Sequence, residues 1–328
     1  MIVQKAAQQL ALFSILALLS ACASAPQTQR LFATPNNLPD KIELGKTPFF
    51  PQQRYQCGPA ALATVLTHAG VNINASTLVD EVYLPSRLGS LQAEILASTR
   101  RHGRLPYRIA PDMHALLSEI AAGNPVLVLQ NLGLNWVPQW HYAVAMGFDL
   151  NKREIILRSG TIARHITDMD TFELTWARGR YWGILTLPAE TLPASTDAER
   201  YLRTVVALEN TQATKQQWPM IHTAYRTALS RWPNNLIAQM GLGNSAYQLA
   251  DLNTAAQAFR NAARDHPNAG AAYNNLAQVL LEQGKLDEAE KQAQHAVTLA
   301  GPHLKNYRST LADIQEAKSR ADRSADPS

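Results

Sequence analysis

The chain has 328 residues, and 46% of them are hydrophobic, which is enough to form about two globular domains and excludes a disordered chain. The formal net charge is +4, and the Lys and Arg residues are scattered without the basic run that nucleic-acid binding requires. We therefore expect no nucleic-acid partner. No cluster of His, Cys or carboxylates has metal-ligand spacing, and no glycine-rich loop is typical of a phosphate site, so we expect neither metal nor cofactor.

The amino terminus carries a targeting pattern. The apolar stretch Leu10–Leu19 is too short to span a membrane as a helix, and it ends in Leu19-Ser20-Ala21-Cys22. This ending resembles the lipobox of bacterial lipoprotein signal peptides. The resemblance implies that residues 1–21 are removed, that Cys22 carries lipid, and that the chain is an outer-membrane lipoprotein facing the periplasm. The alternative is a plain secretory peptide cut near residues 23–25.

Residues 22–45 are rich in Pro, Gln, Asn, Thr and Ala and show little apolar periodicity. They are predicted to be an extended tether that reaches about 75 Å from the membrane surface.

Residues 46–190 are predicted to form an α+β domain, with helices first and antiparallel strands second. The segment Cys57–His68 has its apolar residues on one face, with Pro59 in the first turn and Gly70 as the stop. Further helices are predicted at about 76–83, 90–103 and 112–122, and strands at 126–129, 141–148, 154–158 and 181–187.

Cys57 is the candidate nucleophile, because Cys22 is the only other cysteine and no disulfide partner remains. Its position at a helix N-terminus should favour the thiolate, since unpaired amides and the helix dipole stabilise negative charge there. His141 lies on a later predicted strand and shares a face with Ala143 and Ala145, whose small side chains leave space beside it.

The segments Gln52, Cys57-Gly58-Pro59-Ala60-Ala61-Leu62 and His141-Tyr142-Ala143-Val144 resemble the papain-like family of bacteriocin-processing cysteine peptidases, which remove double-glycine leader peptides. The resemblance implies that Cys57 is the nucleophile and His141 the base. It also implies that the Gln52 side chain donates to the oxyanion beside the Cys57 backbone N–H. Gln53 and Gln56 are alternatives to Gln52, because the family spacing to the cysteine is usually one residue longer.

The chain departs from that family at the residue that orients the histidine, which is normally an aspartate. Ser159 occupies the expected position and can accept a hydrogen bond, but it has no charge to stabilise imidazolium. Asp149 is an alternative that more naturally belongs to the hairpin turn. Because of this departure, one alternative is that the chain is a catalytically weak or inactive lipoprotein that binds peptides. A second alternative is transamidation by the same Cys and His.

Residues 191–200 are predicted to be a linker, followed at 201–323 by helical repeats with a period of 34 residues. The period aligns Leu208, Leu242 and Leu276. The pattern resembles tetratricopeptide repeats, with a degenerate repeat at about 202–235, clear repeats at 236–269 and 270–303, and a capping helix after them. Such arrays usually bind a protein or peptide in a concave groove, and a structural role is the alternative.

Overall fold

A computed structural model describes residues 24–211 and 214–325 of the chain. The predicted signal peptide and Cys22 lie outside the described residues. The chain divides into two compact units, of which the first ends at Leu187 and also includes Pro193–Ser195, and the second contains Pro188–Leu192 and the chain from Thr196.

The first unit is an α+β fold built on one antiparallel sheet. Its helices are α1 Pro26–Ala33, α2 Cys57–His68, α3 Ala75–Val82, α4 Gln92–Arg101, α5 Met113–Ala121 and α6 Met169–Arg178. Its strands are β1 Lys41–Glu43, β2 Leu105–Arg108, β3 Val126–Asn131, β4 Trp140–Asp149, β5 Glu154–Ser159, β6 Ile162–Asp168 and β7 Gly183–Leu187. The predicted β4–β5 hairpin is confirmed. The sequence pattern does not predict β1, β2, β6 or α6.

The sheet has the strand order β2-β7-β3-β4-β5-β6, and β1 pairs with β4 beyond the end of β3. Its register places His141 opposite Gln130 on β3 and Val144 opposite Arg158 on β5. β4 thus lies in the middle of the sheet. It pairs with β5 only from Val144 onward, so that the first residues of β4, including His141, extend beyond this pairing.

Helix α2 forms the core of this unit. Its residues from Gly58 to Leu66 are buried, and they pack on the sheet face that carries Leu127, Tyr142 and Val144. The helix ends before Gly70, whose φ of +83° is a conformation that favours glycine. Helices α5 and α6 contact β3 on the other side of the sheet, where Gln130 Nε2 donates to Thr175 Oγ1 of α6 at 2.7 Å.

The prediction of an extended tether at 22–45 is wrong for the described residues. Helix α1 buries Thr28 and Leu31, and the buried carboxylate of Glu173 accepts the backbone N–H of Gln27 at 3.0 Å and of Thr28 at 2.6 Å. A carboxylate at the first turn satisfies N–H groups that no helical bond can reach. The partner is more than a hundred residues away in sequence, so a local pattern could not reveal it.

The second unit consists of antiparallel helices. They are α7 Ala198–Glu209, α8 Trp218–Arg231, α9 Leu236–Gln248, α10 Leu252–Asp265, α11 Gly270–Glu282, α12 Leu286–Leu299 and α13 Leu304–Ala325. The size of the residues at equivalent repeat positions is matched. Gly243 lies against the Phe259 ring, where a Cβ would collide. In the next repeat Ala277 replaces this glycine and Ala293 replaces the phenylalanine, and both alanines are buried in one core.

The predicted linker at 191–200 is not a free linker. The buried Glu119 carboxylate accepts the backbone N–H groups of Ala194 and Ser195 at 3.1 and 2.9 Å, and α7 already begins at Ala198 with Asp197 as its cap. A composition rich in Pro, Ala and Ser is typical of a linker, but two backbone N–H groups of this segment satisfy the buried carboxylate of Glu119.

We predict that Glu173→Gln releases α1. Because hydrogen bonds to a charged group are among the stronger ones, the Gln27 and Thr28 amides should exchange with solvent about tenfold faster or more. Hydrogen exchange read by mass spectrometry measures this. Asp170→Asn is the matched control, since Asp170 lies on the same helix in a half-exposed pair with Arg153. Unchanged exchange in Glu173→Gln would contradict this account of α1.

Candidate active site

Cys57 is the first residue of α2, and its side chain is partly buried. It lines a cavity of about 800 Å³ that Gln52, His141 and Tyr142 also line. The next residue must be glycine, because Ser90 packs directly against the Cα of Gly58 and a Cβ there would collide with the serine side chain. The local sequence thereby fixes the start of α2 at the wall of the cavity.

His141 is held by one side-chain hydrogen bond, between Nε2 and Ser159 Oγ at 2.9 Å. Within the described residues this is the only hydrogen bond of the imidazole, and His141 is not hydrogen-bonded to Cys57. In the tautomer in which Nε2–H donates to Ser159 Oγ, Nδ1 is the ring nitrogen that can accept a proton.

Burial, the larger cause, and the charge of His165 on β6 lower the pKa of His141 from 6.5 to about 4. No carboxylate contributes to this shift, which agrees with a serine at the position where the family usually has aspartate. The imidazole is therefore neutral at neutral pH.

The pKa of the Cys57 thiol is raised, contrary to the expectation from its helix N-terminus. Burial is the largest cause, and the backbone N–H groups of Tyr142, Gly58 and Cys57 lower the pKa by less than burial raises it. The helix terminus does supply donors, as expected, but desolvation of the sulfur outweighs them. The contribution of the Tyr142 N–H also places the sulfur beside the residue that follows His141.

Gln52 lies in the wall of the same cavity, and its backbone N–H donates to Gly160 O at 3.1 Å. In the described residues its side-chain amide has no protein partner, so the amide is available to a ligand. Gln53 is exposed, and Gln56 occupies the cap position of α2; neither lines the cavity. The geometry therefore favours Gln52 among the three predicted candidates.

Asp149 does not reach His141. It is the last residue of β4, about 26 Å along the strand from His141, which is near its start. Its carboxylate accepts the backbone N–H of Lys152 at 3.1 Å and lies 3.5 Å from Lys41 Nζ. Asp149 is thus a turn residue, and Ser159 is the residue that contacts the imidazole.

The cavity also contains residues that the sequence did not single out, among them Arg87, Arg178, Arg180 and Leu132. Arg87 lies in the short helical turn before α4, and the other two arginines lie at the C-terminal end of α6. No local motif marks them, because segments that are distant in sequence place them in one cavity only when the domain is folded.

In residues 24–211 and 214–325 no group of three or more His, Cys, Asp or Glu side chains is arranged to hold a metal ion. None of the helices in this part of the chain has the length and apolar run needed to cross a membrane.

The profile of the Peptidase C39 like family matches residues 45–183, and the tetratricopeptide repeat profile matches residues 222–260 and 242–302. No curated protein sequence matches the chain.

Several solved structures are similar to parts of the chain. A C39-like peptidase from Bacillus anthracis is 16% identical, covers 44% of this chain and 96% of its own, and has a TM-score of 0.39. The first tetratricopeptide domain of Spaghetti, bound to an HSP90 peptide, is 16% identical, covers 38% and 97%, and has a TM-score of 0.34. The TPR2B domain of yeast Sti1, in a complex with pHsp70, is 16% identical, covers 36% and 98%, and has a TM-score of 0.33.

The family profiles match the two units that the structure separates, the α+β fold and the helical repeats. The chain therefore contains a domain of the Peptidase C39 like family at residues 45–183, followed by tetratricopeptide repeats at residues 222–302.

Proposed function

We propose that the chain is a membrane-anchored cysteine peptidase that hydrolyses peptide bonds through Cys57, and that its repeat domain binds a protein or peptide partner. One observation carries the enzymatic part. Cys57, His141 and Gln52, which are distant in sequence, line one cavity, and Ser159 engages the imidazole on the nitrogen that the reaction does not need.

The first half of the reaction forms an acyl-enzyme. Nδ1 of His141 accepts the thiol proton while Cys57 Sγ bonds to the substrate carbonyl carbon, and the carbonyl electron pair moves onto oxygen. The Gln52 side-chain N–H and the Cys57 backbone N–H stabilise that oxyanion. The imidazolium then donates its proton to the leaving amine as the C–N bond breaks.

The second half repeats these steps with water. His141 takes a proton from water as the water oxygen bonds to the acyl carbon, and returns it to sulfur as the C–S bond breaks. The carboxylic acid product leaves, and the neutral thiol is restored.

The resting pair is neutral, because burial disfavours both the thiolate and the imidazolium. The proton must therefore move during attack, and Ser159 offers no negative charge to the imidazolium that results. The same observation supports the second candidate, a peptidase-like domain that binds peptides with little turnover.

The repeat domain has its own cavity, of about 310 Å³, next to Phe259. Amide side chains dominate its lining, which comprises Asn244, Tyr247, Phe259, Asn274, Asn275, Gln278 and Val279. The Asn274 Oδ1 atom is buried without a hydrogen-bond partner. Amides suit an extended peptide, whose backbone offers both donors and acceptors, and loss of partner binding in Asn274→Ala would support this assignment.

The proposal that the chain is anchored to a membrane rests on the sequence Leu19-Ser20-Ala21-Cys22. The proposed location, at the outer membrane facing the periplasm, rests on the same sequence. Several acyl chains at about 0.8 kcal/mol per buried methylene would hold the chain firmly. Fractionation of cells that express Cys22→Ser tests it, since an unlipidated chain should leave the membrane fraction.

The peptidase proposal predicts that the full chain cleaves members of a degenerate peptide pool, read by mass spectrometry of the products. Cys57→Ser should abolish cleavage, and Gln52→Ala should slow it by about 10²–10³-fold because an oxyanion donor is lost. Gln53→Ala is the matched control, because it removes an exposed amide one residue away. Cleavage that survives in Cys57→Ser, or that falls equally in Gln53→Ala, would refute the assignment.

The pKa of His141 gives a second prediction. In Ser159→Asp the new carboxylate favours imidazolium, so the pKa should rise from about 4 toward or above the ordinary 6.5. NMR titration of the ring protons measures this. Ser159→Ala is the control, since it removes the acceptor without adding charge and should leave the pKa low. A pKa that stays near 4 in Ser159→Asp would show that Ser159 does not face the imidazole.

A further inference from the structure

The charged side chains that line the cavity at Cys57 are all positive. Arg87, Arg178 and Arg180 line it, and among the described residues that line it none is acidic. A concave surface with one sign of charge concentrates ligands of the opposite sign.

In the described part of the chain none of these three arginines forms an ion pair, but they differ in their hydrogen bonds. Arg178 Nη1 donates to the backbone carbonyl of Gly133 at 3.0 Å, which fixes the base of the β3–β4 loop. Arg87 and Arg180 are exposed, and in the described part of the chain neither forms an ion pair. Their guanidinium groups are therefore available to a ligand.

Both arginines stand on backbone that is held in place. The Arg87 N–H donates to Leu84 O at 2.9 Å, inside a turn closed by the Leu84–Gly89 bridge. The Arg180 N–H donates to Ala177 O at 2.8 Å, and the preceding Gly179 lies so close to Leu129 O that a Cβ would not fit. A fixed backbone limits the region of the cavity that each of the two side chains can reach.

The arginines come from different elements of the cavity wall. The Arg87 turn leads to Ser90, which packs on Gly58 beside the nucleophile. Arg180 follows α6 next to β3, one strand away from His141. A peptide that occupies the cavity at Cys57 thus meets cationic groups of both elements.

Apolar side chains line the same cavity and are left exposed to water. Leu88 is 57% exposed, Leu132 46% and Trp140 54%, although such side chains are normally withdrawn from solvent. Exposed apolar side chains that line one cavity indicate a binding site. The ligand that matches these walls is apolar and carries negative charge.

We infer that the cavity selects peptides in which an acidic side chain is flanked by apolar ones, with the carboxylate bound by Arg87 and Arg180. This inference rests on the proposed function only in taking a peptide as the occupant. Guanidinium groups bind carboxylates through charge-assisted hydrogen bonds, which are stronger than neutral ones and specific in geometry.

Binding to full-length Cys57→Ser, which cannot turn over, tests the inference. The probes are two fluorescent degenerate peptide pools, rich in Leu and identical except for Glu or Gln at one fixed position. The Glu pool should bind about tenfold more tightly by anisotropy, and its advantage should shrink as salt rises. Adding Arg87→Gln and Arg180→Gln should remove the advantage. Arg108→Gln is the matched control, an exposed arginine on β2 that does not line the cavity.

Each outcome separates this inference from the proposed function. Equal binding of the two pools, no binding of either, or an advantage that survives in the double arginine variant overturns the acidic preference. Cleavage by the wild-type chain without any Glu preference would leave the peptidase proposal standing and the inference refuted. A Glu preference lost in the arginine variants, with no cleavage by wild type, would support the inference and refute the peptidase.

Discussion

The site depends on the turn at Ser159–Gly160, where β5 ends. Ser159 Oγ holds Nε2 of His141, and Gly160 O accepts the backbone N–H of Gln52, so a single turn fixes the proposed base and the proposed oxyanion donor. Gly160 has a φ of +62°, a conformation that glycine adopts without strain. Packing of α2 on the sheet then brings Cys57 to the same place. Any change that moves this turn should disturb base and oxyanion donor together.

Burial sets the electrostatics of the site. It raises the pKa of Cys57 and lowers that of His141, and the positive charge of His165, which also lowers the pKa of His141, has the wrong sign to stabilise imidazolium. A chain with an aspartate at 159 would shift the pair toward thiolate and imidazolium. With serine there, proton transfer must accompany attack, which suits a slow or highly selective peptidase better than a fast general one. The cationic walls of the cavity offer one source of such selectivity.

The parts of this fold that sequence predicts are those with a strong local signal. Helix α2 is an apolar run with a glycine stop, the β4–β5 hairpin alternates around a polar turn, and the 34-residue period identifies the paired helices. What the sequence does not predict depends on distant partners. Helix α1 exists because Glu173 receives its first N–H groups, and residues 194–195 are ordered by Glu119. The same holds at the site: Cys57, His141 and Gln52 belong to motifs, whereas the raised thiol pKa and the presence of Arg87 and Arg180 in one cavity follow only from packing.

The most direct test of the account is to trap the covalent intermediate. The full chain would be mixed with an activated peptide ester, quenched rapidly, and digested for mass spectrometric mapping of the acyl group. The account predicts acylation of Cys57 in the wild-type chain and a large loss of it in His141→Ala, because the neutral thiol needs the imidazole to take its proton. An acyl group that never appears on Cys57, or that appears there equally fast without His141, would contradict the account.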